Sequence, residues 1–215
     1  EYGVICGRES RAIGQHLIEA PGVCLHRTPL CGRNFEYFSE DPYLSGVMGV
    51  QVTRGIQDQG ILAEAKHYVV NDQEQERFRY DVRIDDHVLR EMYLLPFEMI
   101  VKDADVAAIM GSYQRFRGTY ACESHYLLRE IVREQWGFQG YVQSDFWACR
   151  STAQSLNAGL RHFDECYSEG FRTAFADKFG LSTWRNDDAA LLEDCLELLQ
   201  RAEVDMTLFF RALAK

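Results

Sequence analysis

Between residues 23 and 160, short apolar runs alternate with helix-length segments, and few architectures accept that rhythm. The runs are Val23–Leu25, Ile61–Lys66, Val106–Met110 and Tyr141–Ser144. Each is too short for a buried helix and is followed by a segment with apolar residues at helical spacing. Strand and helix in alternation is the pattern of βαβ units around a parallel sheet. The expected fold class is therefore α/β, as a (β/α) barrel or an open doubly wound sheet, between which periodicity does not choose. The spacing predicts a first helix over 8–19, with Ile13, Leu17 and Ile18 on one side. A second helix, started by Ser39-Glu-Asp-Pro42, runs to about Gln57 with Leu44, Val47, Met48, Val50 and Ile56 as its apolar stripe. A third begins at Asp85 or Asp86 and buries Val88, Leu89, Met92, Leu95 and Ile100; a fourth spans 124–136 and stops at Gly137. A last helix covers about 151–158. The stretch from Asn71 to Arg83 reads as a polar loop.

The ends of the apolar runs carry the chemistry. In parallel α/β sheets the C-terminal ends of the strands open onto the ligand crevice. Tyr141-Val-Gln-Ser-Asp-Phe-Trp147 places the carboxylate of Asp145 at such an end. Lys66 and His67 close the second run, and Tyr113 follows the third. Several strands finishing in polar groups suit a sugar-sized, hydroxyl-rich substrate held by many hydrogen bonds.

Composition narrows the partners. The formal net charge of -10 comes without a basic stripe, so no nucleic-acid partner is expected. No stretch approaches the roughly 20 apolar residues of a membrane helix, so no membrane association is expected either. The seven cysteines, at 6, 24, 31, 122, 149, 166 and 195, form neither a CxxC pair nor a His/Cys cluster with zinc spacing. That pattern, without a signal-like N-terminus, leads to an expectation of a cytoplasmic protein with free thiols, no metal and no cofactor.

Five segments taken together resemble family 3 glycoside hydrolases, the β-glucosidase and β-xylosidase group. They are Glu9–Gly14, Gly32–Pro42, Ala65–Asn71, Met110–Tyr113 and Ser144–Phe146, in the family's order over about residues 9–160. The resemblance implies a partial (β/α) barrel over residues 1–163 and a retaining β-glucosidase-like activity on a β-glucoside or related small saccharide. It implies that Asp145 is the nucleophile. It also implies that Arg33, Lys66, His67, Met110, Tyr113 and Phe146 form the sugar site. Cations such as Arg33 and Lys66 are expected to keep Asp145 ionised near neutral pH.

The departures from the family are equally specific. Phe146 stands where the family usually has Trp, and Ala158-Gly-Leu-Arg-His-Phe163 leaves the family's pattern after Leu160. In most β-glucosidase members the acid/base glutamate comes from a second domain, so Glu74, Glu76 and Glu165 are the candidates within this sequence. The alternative function is a catalytically impaired sugar-binding or structural fragment of a chimeric chain. Beyond about residue 163 strand-like runs vanish, and an all-helical C-terminal extension is expected over 164–215. Residues of about 167–214 resemble the C-terminal tail of selenoprotein O-like protein adenylyltransferases; no catalytic role follows from that likeness. A partial barrel leaves strand edges unpaired, so a homo-oligomer is expected.

Overall fold

The computed structural model describes residues 1–160. The helical extension expected over 164–215, the candidate Glu165 and the boundary between 163 and 164 all lie outside the described residues.

Four parallel strands form the main sheet: β1 (Leu17–Ile18), β2 (Leu62–Tyr68), β4 (Ala108–Gly111) and β7 (Tyr141–Ser144), in the order β1-β2-β4-β7. The registers pair Leu17 with Leu62, Ala65 with Ile109, and Met110 with Gln143. The parallel α/β expectation holds over this region, with one exception. The expected strand Val23–Leu25 is irregular, and its backbone meets β2 only through the Gly22–Lys66 bridge and Val23 N–H donating to Lys66 O at 2.8 Å. On one face, Ala63 and Ala65 of β2, Ile109 of β4 and Val142 of β7 join the core. There they meet helices α2 (Pro42–Gln57) and α4 (Leu95–Ala104). The other face is also closed, because Glu64 and Met110 are buried. Strands covered on both sides explain why the runs are nearly continuous in apolar residues rather than alternating. Tyr68, fully buried at the end of β2, pins the sheet to its helices. Its ring lies edge-on to Phe97 at 5.2 Å and Trp136 at 5.9 Å, and its hydroxyl donates to the Leu127 carbonyl at 3.1 Å.

Helix α2 starts as its sequence dictates. The Asp41 side chain accepts from Leu44 N–H at 2.8 Å, and Pro42 occupies the first turn. Its buried face matches the predicted stripe only at Val50 and Ile56. Leu44 and Met48 are exposed, whereas Gly46, Gly49, Val50, Thr53 and Ile56 face inward. Glycine carries that face because α4 lies too close for side chains: a Cβ on Gly49 would sit 2.6 Å from Ile100 Cδ1 and 2.9 Å from Val23 Cγ1.

Helix α1 is Tyr2–Ala12, not 8–19. It ends before Gly14, whose φ of +79° turns the chain out of the helix, so Leu17 and Ile18 belong to β1. It crosses α2 backbone to backbone. A Cβ on Gly3 would overlap the Val52 carbonyl oxygen and come 3.0 Å from Val52 Cα. Gly3→Ala should therefore destabilise the fold by about 1–3 kcal/mol, the usual cost of overpacking. A lowered urea midpoint with an unchanged slope checks this; an unchanged midpoint would mean that the α1–α2 crossing adjusts freely.

Two predicted helices contain wider turns. The third is α3 (Asp86–Val88), a π-helical segment (Leu89–Leu94) and then α4. Pro96 has no N–H for the carbonyl four residues earlier, and its ring crowds that carbonyl, which an i→i+5 turn relieves. The fourth, Tyr126–Gln135, is also π-helical and closes with Trp136 N–H donating to Ile131 O at 3.0 Å before Gly137 at φ +72°. The 71–83 loop contributes β3 (Asp81–Val82), which pairs with β5 (Arg115–Phe116). That strand turns through Arg117 and Gly118, both at positive φ, into β6 (Thr119–Tyr120). Helix α5 is Thr152–Ala158, near the expected bounds.

Candidate active site

Asp145 comes immediately after β7, and its N–H extends the ladder by donating to Gly111 O at 2.9 Å. The two carboxylate oxygens are treated differently. Oδ1 accepts from the Tyr113 hydroxyl at 2.8 Å and from Phe146 N–H at 2.7 Å. Oδ2 is buried and makes no hydrogen bond among the described residues. Two groups face it: His67 Nε2 at 3.4 Å and Arg33 Nη1 at 4.0 Å. A buried acceptor left without a hydrogen bond costs about 1–3 kcal/mol, so it calls for an explanation.

Three separate elements deliver these groups. His67 lies within β2, which runs one residue past it to Tyr68. Tyr113 follows β4 by two residues, and Arg33 precedes the 3₁₀ turn Asn34–Glu36. Of the predicted residues, Arg33, His67, Tyr113 and Asp145 therefore come together directly. Lys66 reaches the group through Glu36: its Nζ is 3.3 Å from Glu36 Oε2, while Glu36 Oε1 takes the Arg33 Nε–H. Met110 is buried in β4, one residue before the Gly111 carbonyl that holds Asp145 N–H. Phe146 contributes its backbone N–H, but its ring is 52% exposed and lies edge-on to Trp147, so it sits at a rim.

Burial raises the Asp145 carboxyl above the usual carboxylate range, against the opposing pull of the Tyr113 hydroxyl, the Phe146 N–H, Arg33 and Arg77. This corrects the expectation that nearby cations would dominate: desolvation is the larger effect, and the second cation is Arg77 rather than Lys66. The same burial, reinforced by Arg33, Lys66 and Arg77, holds His67 well below its ordinary value, so its ring is neutral. Burial and the Asp145 charge push the Tyr113 phenol up, which keeps it a donor.

Arg77 was hidden in what reads as a solvated loop. Its guanidinium lies 4.0 Å above the Tyr113 ring and pairs with Glu74 at 2.7 Å. Glu36 and Tyr37 were also missed as site residues, although both lie inside the quoted segment Gly32–Pro42. The signal for Arg77 was weak, since only its position a short distance beyond Lys66-His67 marks it. Of the candidate acids, Glu74 is engaged by Arg77 and by Asn71 Nδ2 at 3.1 Å, while Glu76 is exposed and 3.8 Å from Arg79. Asp72, buried nearby, takes the Leu25 N–H at 2.8 Å, and burial pushes its carboxyl up to about 6.

Among the described residues no group of three or more His, Cys, Asp or Glu side chains is arranged to hold a metal ion. No helix among them is long and apolar enough to cross a membrane.

Comparison with known proteins places this geometry in context. The model of the glycosyl hydrolase family 3 N-terminal domain matches residues 1–212. That match runs through most of the 167–214 tail, and nothing in these comparisons supports the selenoprotein O-like resemblance expected there. Beta-glucosidase B of Emericella nidulans is 46% identical over 152 residues, 71% of this chain and 18% of that protein. A beta-glucosidase of Rhizobium radiobacter is 46% identical over 158 residues, 74% of this chain and 19% of its own length. Among solved structures, beta-glucosidase 3B from Thermotoga neapolitana, in complex with α-D-glucose, superposes with a TM-score of 0.84 at 34% identity. The superposition covers 99% of this chain and 28% of that one. The chain thus spans about a fifth of the length of the curated relatives it matches.

Proposed function

This chain belongs to family 3 of the glycosyl hydrolases, matching its N-terminal domain, and we propose that it carries the sugar-binding and nucleophilic half of a retaining β-glucosidase site. The observation that carries this reading is the asymmetry of Asp145: one oxygen anchored by two donors, the other buried with its hydrogen-bonding capacity unused. Anchoring Oδ1 fixes the carboxylate plane, so Oδ2 is the atom presented to an anomeric carbon. In the first step Oδ2 bonds to that carbon as the glycosidic C–O bond breaks and the leaving oxygen departs with the electron pair. In the second, a water oxygen bonds to the same carbon from the other face, and the bond to Oδ2 breaks with its electron pair returning to the carboxylate. The water gives up one proton to solvent, which offsets the charge of the departed oxygen; two inversions retain configuration overall. Arg33, Lys66 and His67 would donate hydrogen bonds to hydroxyls of the sugar, releasing part of the Glu36 and Asp145 contacts they now make. Tyr113, capped by Arg77, would hold the nucleophile in line throughout. Met110 and the rim aromatic Phe146 would give the sugar apolar contacts. The glucose complex of the Thermotoga neapolitana relative and the names of the curated relatives favour a β-glucoside as substrate.

One observation favours a second reading, a sugar-binding chain without turnover. Glu36 has both oxygens engaged by Arg33 and Lys66, and Glu74 has one on Arg77 and the other on the Asn71 amide, which leaves neither set up to give a proton to a leaving group. An activated 2-fluoro-glucoside separates the two. Retaining chemistry should leave a fluoroglucosyl ester on the peptide containing Asp145, detected by mass spectrometry. Saturable glucose binding with no adduct would select the binding reading instead.

A further inference from the structure

One short segment organises two of the basic residues of the site. Arg33, Glu36 and Tyr37 flank and form the 3₁₀ turn Asn34–Glu36. Arg33 faces Asp145, Glu36 receives both Arg33 and Lys66, and Tyr37 reaches His67. The Tyr37 oxygen is 3.0 Å from His67 Nδ1, and the two rings meet edge to face at 6.1 Å. Both side chains are buried, at 6% and 1% exposure, so water cannot substitute for this contact. The strand beneath is held as well, with Cys24 Sγ donating to the His67 carbonyl at 3.4 Å.

We propose that Tyr37 is a positioning residue that fixes His67 in the tautomer with its proton on Nε2, the nitrogen 3.4 Å from Asp145 Oδ2, where that proton is left for a bound sugar. The argument is one of elimination. A neutral imidazole carries its proton on one nitrogen, and the partner of the other nitrogen decides which. A proton on Nδ1 would leave the Nε2 lone pair facing Asp145 Oδ2 at 3.4 Å, acceptor against acceptor. A proton on Nε2 turns that approach into attraction and leaves Nδ1 as an acceptor, which the Tyr37 hydroxyl satisfies. Burial holds the Tyr37 phenol well above its ordinary value, so it has the proton to donate. The hydroxyl thus acts on substrate only through His67. This inference rests on reading Asp145 as an anion in the working site, but its test needs no turnover.

The test is imidazole nitrogen spectroscopy of the full 215-residue chain labelled with ¹⁵N-histidine, with the His67 signals assigned by their loss in His67→Gln. The parent should show Nε2 protonated and Nδ1 bare. Tyr37→Phe keeps the ring contact and removes only the hydroxyl. It should populate both tautomers and weaken glucose binding by about three- to tenfold, the worth of one hydrogen bond. Identical His67 signals in parent and Tyr37→Phe would overturn the proposal. If Tyr37→Phe fails to fold, the parent spectrum still decides: a proton on Nδ1 overturns it, and one on Nε2 supports it. A parent without glycosidase activity would sink the catalytic reading yet leave the tautomer result to be judged by itself.

Discussion

With Asp145 as the proposed nucleophile, Asp145→Asn should lower the hydrolysis of a nitrophenyl β-glucoside by about 10⁴-fold or more, because it takes away the bond-forming atom rather than a binding contact. The loss should fall on kcat, with glucose binding little changed, since Arg33, Lys66, His67 and Tyr113 remain. Asn can still accept the Tyr113 hydroxyl and Phe146 N–H through its own oxygen, so the loop geometry should survive. The fold should not suffer. Burial raises the carboxyl of Asp145, so the folded state favours its neutral form. A carboxyl raised on folding contributes stability at low pH that is lost as pH rises through the folded value. The variant should therefore gain in urea midpoint, relative to the parent, as pH rises toward neutrality. The same sign predicts the rate profile: kcat/KM of the parent should fall on the acid side at a pH above the usual carboxylate range. Turnover persisting in Asp145→Asn would assign the chemistry to another group and remove Asp145 from the mechanism.

Why some of this was legible in the sequence and some was not follows from particular residues. The strand ends could be read because both faces of β2, β4 and β7 are largely buried, which writes them as short, mainly apolar runs, interrupted by Glu64 and Gln143, that lead to Lys66-His67, Tyr113 and Asp145. The inward face of α2 was legible only at Val50 and Ile56, because the rest of its signal is an absence: Gly46 and Gly49 face α4 where a hydrophobic stripe would otherwise be sought. The start of the chain misled for a related reason. Ile13, Leu17 and Ile18 have helical spacing, but Gly14 at positive φ breaks the segment and hands Leu17 and Ile18 to a strand. Arg77 and Glu36 escaped because a charged residue in a polar stretch reads as solvated, and only tertiary folding sets one on the Tyr113 ring and the other between two cations. The balance at Asp145 was likewise beyond the sequence. Cations were visible there; the depth of burial that outweighs them was not.

The acid/base question yields the second large effect. Departure of an alkoxide from an anomeric carbon needs a proton, and a positioned general acid typically supplies about 10²–10⁴-fold in rate. Such an acid must approach the leaving oxygen with a proton to give, about 5–5.5 Å from the nucleophile in a retaining site. Among the described residues the candidate glutamates are otherwise occupied. Glu36 is bound between Arg33 and Lys66, Glu74 is held by Arg77 and Asn71, and Glu76 is an exposed partner of Arg79. This chain should accordingly cleave a nitrophenyl glucoside, whose phenolate leaves unaided, about 10²–10⁴-fold faster than cellobiose. Across a series of aryl glucosides the rate should fall steadily as the leaving phenol becomes less acidic, because the departing oxygen carries its full charge in the transition state. Glu74→Gln should leave that slope unaltered, since its carboxylate serves Arg77 rather than the leaving group. Equal rates on nitrophenyl glucoside and cellobiose would instead require a proton donor in the site, and Glu165→Gln would then be the variant to make first.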